Sequence, residues 1–107
     1  MSVRRRYSRR QRLGTTDIAA LLAGGQALRR PGFNVLLRVN PFGVPRLGVI
    51  VPKRVFPRAV DRNRTKRVLR ELFRTLQGRL GSRDILIRVT GSKLTVADVA
   101  QSLVGSQ

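Results

Sequence analysis

The side chains best equipped for recognition chemistry crowd into residues 53–74. That stretch holds Lys53, Arg54, Arg58, Arg62, Arg64, Lys66, Arg67, Arg70 and Arg74 against only Asp61 and Glu71. Guanidinium groups grip phosphate through two parallel hydrogen bonds and stack on planar bases, so arginine at this density is chemistry for a polyanion. Asn63 adds amide donors and an acceptor that can read a sugar or a base edge. At 100° per residue, Asn63, Arg67, Arg70 and Arg74 fall within about a 60° sector of a helix, with Lys66 just beyond it. Like charges three or four residues apart, as in Lys66 with Arg70 and Arg70 with Arg74, cost about a few tenths of a kcal/mol each on an isolated helix. A bound anion reverses the sign of that cost. Most charged helix faces are simply solvated, but they mix both signs, and this one is cationic almost throughout.

The rest of the composition points the same way. The chain has 107 residues, 23 Lys plus Arg against 5 Asp plus Glu, and no histidine, for a formal charge of +18. Self-repulsion on that scale opposes compaction, and a polyanionic partner removes it. Arginine outnumbers lysine 20 to 3, a ratio that suits phosphate recognition and that biased codon usage could equally produce. With no Cys and no His, the usual soft metal ligands, thiol nucleophiles and imidazole bases are missing. The five acids, Asp17, Asp61, Glu71, Asp84 and Asp98, are scattered, so a two-metal nuclease centre has no local support. Any bond-breaking is expected to reside in a partner. No stretch approaches the roughly 20 apolar residues of a membrane span. The arginines at 4, 5, 6, 9, 10 and 12 precede no apolar run of the kind a secretory signal needs. A soluble, cytoplasmic protein is the expectation.

An apolar content of 41% and a length near one hundred residues fit one small domain. Residues 1–14 read as a flexible basic arm that orders on a phosphate backbone, and 15–107 as a single α+β domain. Thr15 or Thr16 can cap a helix running to about Ala23, with Ile18, Leu21 and Leu22 as its apolar stripe. Residues 26–30 offer a short edge strand. Over 33–40 the alternation puts Phe33, Val35, Leu37 and Val39 on one face and Asn34, Leu36, Arg38 and Asn40 on a wetter one. After the turn at 41–45, Leu47, Val49 and Val51 alternate again, which predicts an antiparallel hairpin between the two runs. From 58 to 76, Val68, Leu69, Leu72, Phe73 and Leu76 share one helical side, the strongest helix in the chain. A third strand covers 84–90 with Ile85, Ile87 and Val89 on one face. Thr95 opens a last helix, with Asp98 completing a capping box. The elements together predict an antiparallel-rich sheet packed by helices.

The run 59–74, with Arg62-Asn63-Arg64, Lys66-Arg67 and Arg70-Glu71, resembles the signature of the bacterial ribonuclease P protein subunit. The preceding 47–54, a strand ending in Lys53-Arg54, and the later 81–88, where Asp84 opens an apolar run, are similar to that family's neighbouring segments. The likeness runs in order over about residues 12–104. It implies a ribosomal protein S5 domain 2-like α/β sandwich with a left-handed crossover, against the usual right-handed preference. It implies a small partner of a catalytic RNA that removes the 5′ leader of precursor tRNA, with Mg²⁺ held mainly by the RNA. The same resemblance assigns Lys53, Arg54, Arg58, Arg62, Asn63, Arg64, Lys66, Arg67, Arg70 and Arg74 to RNA binding. It also assigns the positions of Ile18, Leu22 and Leu36, commonly aromatic in the family, to a cleft for the single-stranded leader. Here all three are aliphatic and read equally well as core. Neither a small-molecule substrate nor a membrane partner is expected. The competing reading is a structural or chaperone-type RNA-binding protein such as a ribosomal component, which shares charge and size without the full signature over 62–71.

Overall fold

The computed structural model describes residues 11–105. Its elements in chain order are α1 (Thr15–Gly24), β1 (Gln26–Arg30), β2 (Phe33–Val39), β3 (Arg46–Ile50), α2 (Ala59–Leu76), a short 3₁₀ turn (Gln77–Arg79), β4 (Arg83–Val89) and α3 (Val96–Gly105). Each helix and strand lies within a residue or two of where hydropathy periodicity predicts one.

The pairing of the strands departs from expectation. The sheet order is β1-β2-β4-β3. β2 is antiparallel to both β1 and β4, whereas β3 runs parallel to β4. The predicted β2–β3 hairpin does not form, because β4 lies between the two. The cause is burial: Ile85, Leu86 and Ile87 are consecutive and all buried, so β4 has apolar residues on both faces and takes a central position. β3 and β4 are instead joined through α2, as parallel neighbours require. The hairpin that does form is β1–β2, and its turn depends on Gly32, at φ +85°. A Cβ there would sit 2.5 Å from the backbone nitrogen of Leu94. The Gly32 carbonyl also accepts hydrogen bonds from the amides of Thr90 and Gly91, at 3.0 and 3.1 Å. Gly32→Ala should therefore lower unfolding stability by about 2 kcal/mol or more, read from the urea midpoint at unchanged slope.

Strand alternation divides the core between the two faces of the sheet. One face carries Phe33, Val35, Leu37, Ile85 and Ile87 against Leu69 and Phe73 of α2 and Val99 and Leu103 of α3. The other carries Leu36 and Leu86 beneath Leu21 of α1, closed by Leu13. Val39, predicted to share the Phe33 face, is 81% exposed because β2 extends past the core at its end.

Two local expectations change. The cap of α1 is Gly14 rather than a threonine, and its amide donates to the Asp17 carboxylate at 3.3 Å. Residues 11–13, expected within the basic arm, pack against the domain. Gln11 and Leu13 are buried, Arg12 pairs with Leu47 in a parallel bridge, and the Leu13 amide donates to the Leu47 carbonyl at 3.0 Å. The outer edge of β3 has backbone groups to satisfy, and the cluster under α1 needs an apolar plug; residues 11–13 supply both. The arm residues 1–10 lie outside the described residues. At the other end Thr95 caps α3 as expected, its hydroxyl accepting from the Asp98 amide at 3.1 Å.

Candidate nucleic-acid interface

α2 is fixed to the sheet by Leu69 and Phe73, both buried, and this anchoring turns the rest of the helix outward. Three of its predicted cations have partners within the chain. Arg58 pairs with Asp61 at 3.1 Å and Arg74 with Glu71 at 2.9 Å. Arg62 donates from Nη1 to the carbonyls of Phe56 and Pro57, at 3.0 and 2.8 Å, and so fastens the loop that carries Lys53 and Arg54 to the first turn of α2. Among the described residues, no acid lies within ion-pair distance of Lys53, Arg54, Arg64, Lys66, Arg67 or Arg70. Lys53, Arg54, Arg64 and Arg67 are exposed, and Lys66 and Arg70 are half-buried. Asn63, Arg64 and Arg67 border one open groove with Val60. An amide placed among unpaired guanidinium groups in open solvent can hold a phosphate and read its sugar or base together.

Of the three residues assigned to the leader cleft, the structure gathers two at one cluster and leaves the third exposed. Leu36 is buried in the cluster under α1, Ile18 is half-buried against that cluster, and Leu22 is exposed. What the sequence reading missed lies one row along the same face. The strand registers align Arg29 with Asn34, Asn34 with Arg88, and Arg88 with Ile50. Side-chain alternation puts this row on the α1 face, next to Leu36 and Leu86. Arg29 and Arg88 are exposed, and Asn34 and Ile50 are half-buried. Beside the open side of α1 the sheet therefore has a cationic, amide-bearing floor. Only Asn34 was visible as part of a wetter face; joining it to Arg29 and Arg88 requires the strand order.

On the far side of α1 lies an ion network. Asp84 is fully buried and accepts hydrogen bonds from Arg46 Nε at 2.7 Å, Arg46 Nη2 and Asn40 Nδ2 at 2.8 Å, and Arg38 Nε at 3.0 Å. Asp17 of α1 receives the same two arginines at 3.2 and 3.3 Å. Burial pushes the Asp84 carboxyl upward, but the bonds from Arg46, Asn40 and Arg38 outweigh it and hold the group below the ordinary value of 3.8. The Arg46 guanidinium is held above its ordinary value chiefly by its bond to Asp84. Two acids and two arginines from α1, β2, β3 and β4 neutralise one another, so this cluster serves architecture.

Four of the five acids are thereby engaged in ion pairs, and the fifth, Asp98, contributes its backbone amide to the α3 cap. No group of three or more acidic, histidine or cysteine side chains able to hold a metal occurs among the described residues. This donor set does not fit a protein-held Mg²⁺.

The sequence profile of the family described as "Ribonuclease P" matches residues 7–105. The ribonuclease P protein component of Nitrosococcus oceani is 44% identical over 71 residues, covering 66% of this chain and 60% of that protein. The corresponding protein of Ralstonia pickettii is 43% identical over 84 residues, covering 78% of this chain and 60% of that one. The matched stretch thus spans 60% of each relative's length. Among solved structures, the RNase P protein from Thermotoga maritima superposes with a TM-score of 0.73 at 28% identity, covering 89% of this chain and 93% of that one. The Staphylococcus aureus RNase P protein gives 0.75 at 26% identity, with coverage of 87% and 88%. The signature of α2, the single four-stranded α+β domain and a profile match along nearly the whole chain agree, and the chain belongs to the ribonuclease P protein family.

Proposed function

We propose that this chain is the protein subunit of a cytoplasmic ribonuclease P ribonucleoprotein. It binds the catalytic RNA through the outward side of α2 and the Lys53–Arg54 loop, and it guides the single-stranded 5′ leader of precursor tRNA along the Arg29–Asn34–Arg88 floor beside α1. Hydrolysis belongs to the RNA and to Mg²⁺ bound by it. The chain's own contribution is to position both RNAs and to offset the phosphate repulsion that otherwise demands high Mg²⁺. The observation that carries this reading is the set of six cations on and before α2 with no acidic partner among the described residues, within the signature that places the chain in its family. Leu22, exposed, offers the leader an apolar contact, while Leu36 supports the cleft from beneath.

The test is reconstitution. Added to the cognate catalytic RNA at low Mg²⁺, the chain should restore precursor-tRNA cleavage and tighten precursor binding relative to mature tRNA. Cleavage and affinity that do not change on addition of the chain exclude this role, and co-purification with ribosomal particles in place of one catalytic RNA would favour a ribosomal component.

A further inference from the structure

Phe42 is the only exposed large aromatic among the described residues, with 58% of its surface in water. It sits in the turn at 40–45 between β2 and β3, and this turn is firmly held. The Phe42 amide donates to Asn40 Oδ1 at 2.9 Å, the Gly43 amide to Ser82 Oγ at 2.8 Å, and Asn40 Nδ2 to the Val44 carbonyl at 3.1 Å. One face of the ring is covered by the Arg46 guanidinium, whose carbon lies 4.4 Å from the ring centroid. Arg46 is itself fixed by Asp84 and Asp17. The ring is thus backed and oriented before anything binds, with its apolar neighbours Val39 and Val44 also exposed.

The chemistry of the surroundings selects the ligand. Arg38 and Arg46 are neutralised by Asp17 and Asp84, so the platform favours a neutral planar group over a phosphate. For a chain whose partner is RNA, that group is a nucleobase, for which an aromatic face is a sequence-tolerant stacking surface. Position selects its source. Gln11 donates from Nε2 to Gln77 Oε1 at 2.7 Å and to the Pro45 carbonyl at 3.2 Å, which ties this turn to the residue that follows α2. α1, by contrast, lies between the turn and the Arg29–Asn34–Arg88 floor. We propose that Phe42, backed by Arg46, stacks an unpaired nucleobase of the catalytic RNA and extends the α2 interface to this end of the sheet. The proposal rests on the reading that the chain's partner is that RNA.

The chain has no tryptophan, so Phe42→Trp installs a unique reporter. Its fluorescence should be quenched at saturating catalytic RNA, with affinity retained. Phe42→Ala should bind that RNA about five- to tenfold more weakly at unchanged salt slope, because a neutral contact releases no counterions. Phe42→Leu, which keeps apolar bulk without a π face and guards against a folding defect in the alanine variant, should lose as much. Wild-type affinity in the leucine variant, or unaltered tryptophan emission on binding, overturns the stacking site while leaving the partner in place. A loss confined to precursor tRNA binding by the assembled holoenzyme overturns the assigned source. A wild-type chain that does not bind the catalytic RNA removes both this inference and the reading beneath it.

Discussion

Replacing Arg67 and Arg70 together with alanine should weaken binding to the catalytic RNA about 15- to 30-fold at 0.15 M monovalent salt. Each guanidinium on a phosphate releases condensed counterions, contributing about 0.7 to 0.9 to the slope of log affinity against log salt. At 0.15 M that is about four- to sixfold per contact, and the double variant should flatten the slope by about 1.4 to 1.8. The two sites are suitable because neither has an acidic partner among the described residues, so little folded-state pairing is lost with them. Arg58→Ala is the matched control: its head group is engaged with Asp61 on a largely exposed stem, and a smaller change in slope is expected. Filter binding across a salt series with the cognate RNA reads all three. A double variant whose slope equals that of the wild type would place the interface elsewhere than α2.

The largest effect on stability is expected at Asp84. Asp84→Leu removes the common acceptor of Arg46, Arg38 and Asn40 and leaves two arginines facing each other with only Asp17 between them. Breaking a buried ion pair from one side costs about 3–5 kcal/mol. Both arginines retain some access to water, at 35% and 14% side-chain exposure, so about 3 kcal/mol is expected. Thermal unfolding should shift down by roughly 15 °C for a domain of this size. The pH dependence identifies the carboxylate as the cause. Because the folded-state value lies below the ordinary 3.8, the stabilisation is fully present above that value and is lost as pH falls through the lowered one. Urea unfolding of the wild type should therefore lose stability from about pH 4 downward, and Asp84→Asn should show a shallower loss over that window. Parallel acid profiles for the two proteins would mean that other carboxylates govern the acid limb.

The two predictions concern residues of different legibility. Arg67 and Arg70 could be chosen from spacing alone, since a helical period and a sector of like charge are both local properties. Asp84 read only as the residue opening an apolar strand. Its role appears once β2, β3 and β4 are adjacent and Arg38 and Arg46 converge on it. Leu36 shows the converse. Family resemblance gave it to the leader cleft and its type read equally well as core; it lies under α1 in one cluster with Leu21, on the second face of the sheet. Arg62, also counted among the RNA-binding cations, donates from Nη1 to the loop carbonyls at 56 and 57, an attachment its helical spacing did not announce.

The sequence alone determined the helices and strands and the cationic side of α2. These depend on residue type and on periods of two and 3.6, which a chain carries wherever it goes. Only the tertiary structure decided that β4 takes the centre, that residues 11–13 seal the β3 edge, that Arg29, Asn34 and Arg88 form one row, and that Phe42 rests on Arg46. Each of these joins residues distant in the chain. Their adjacency follows from competition among strands for the two inner positions of the sheet, which β2 and β4, each with three consecutive buried apolar residues, fill.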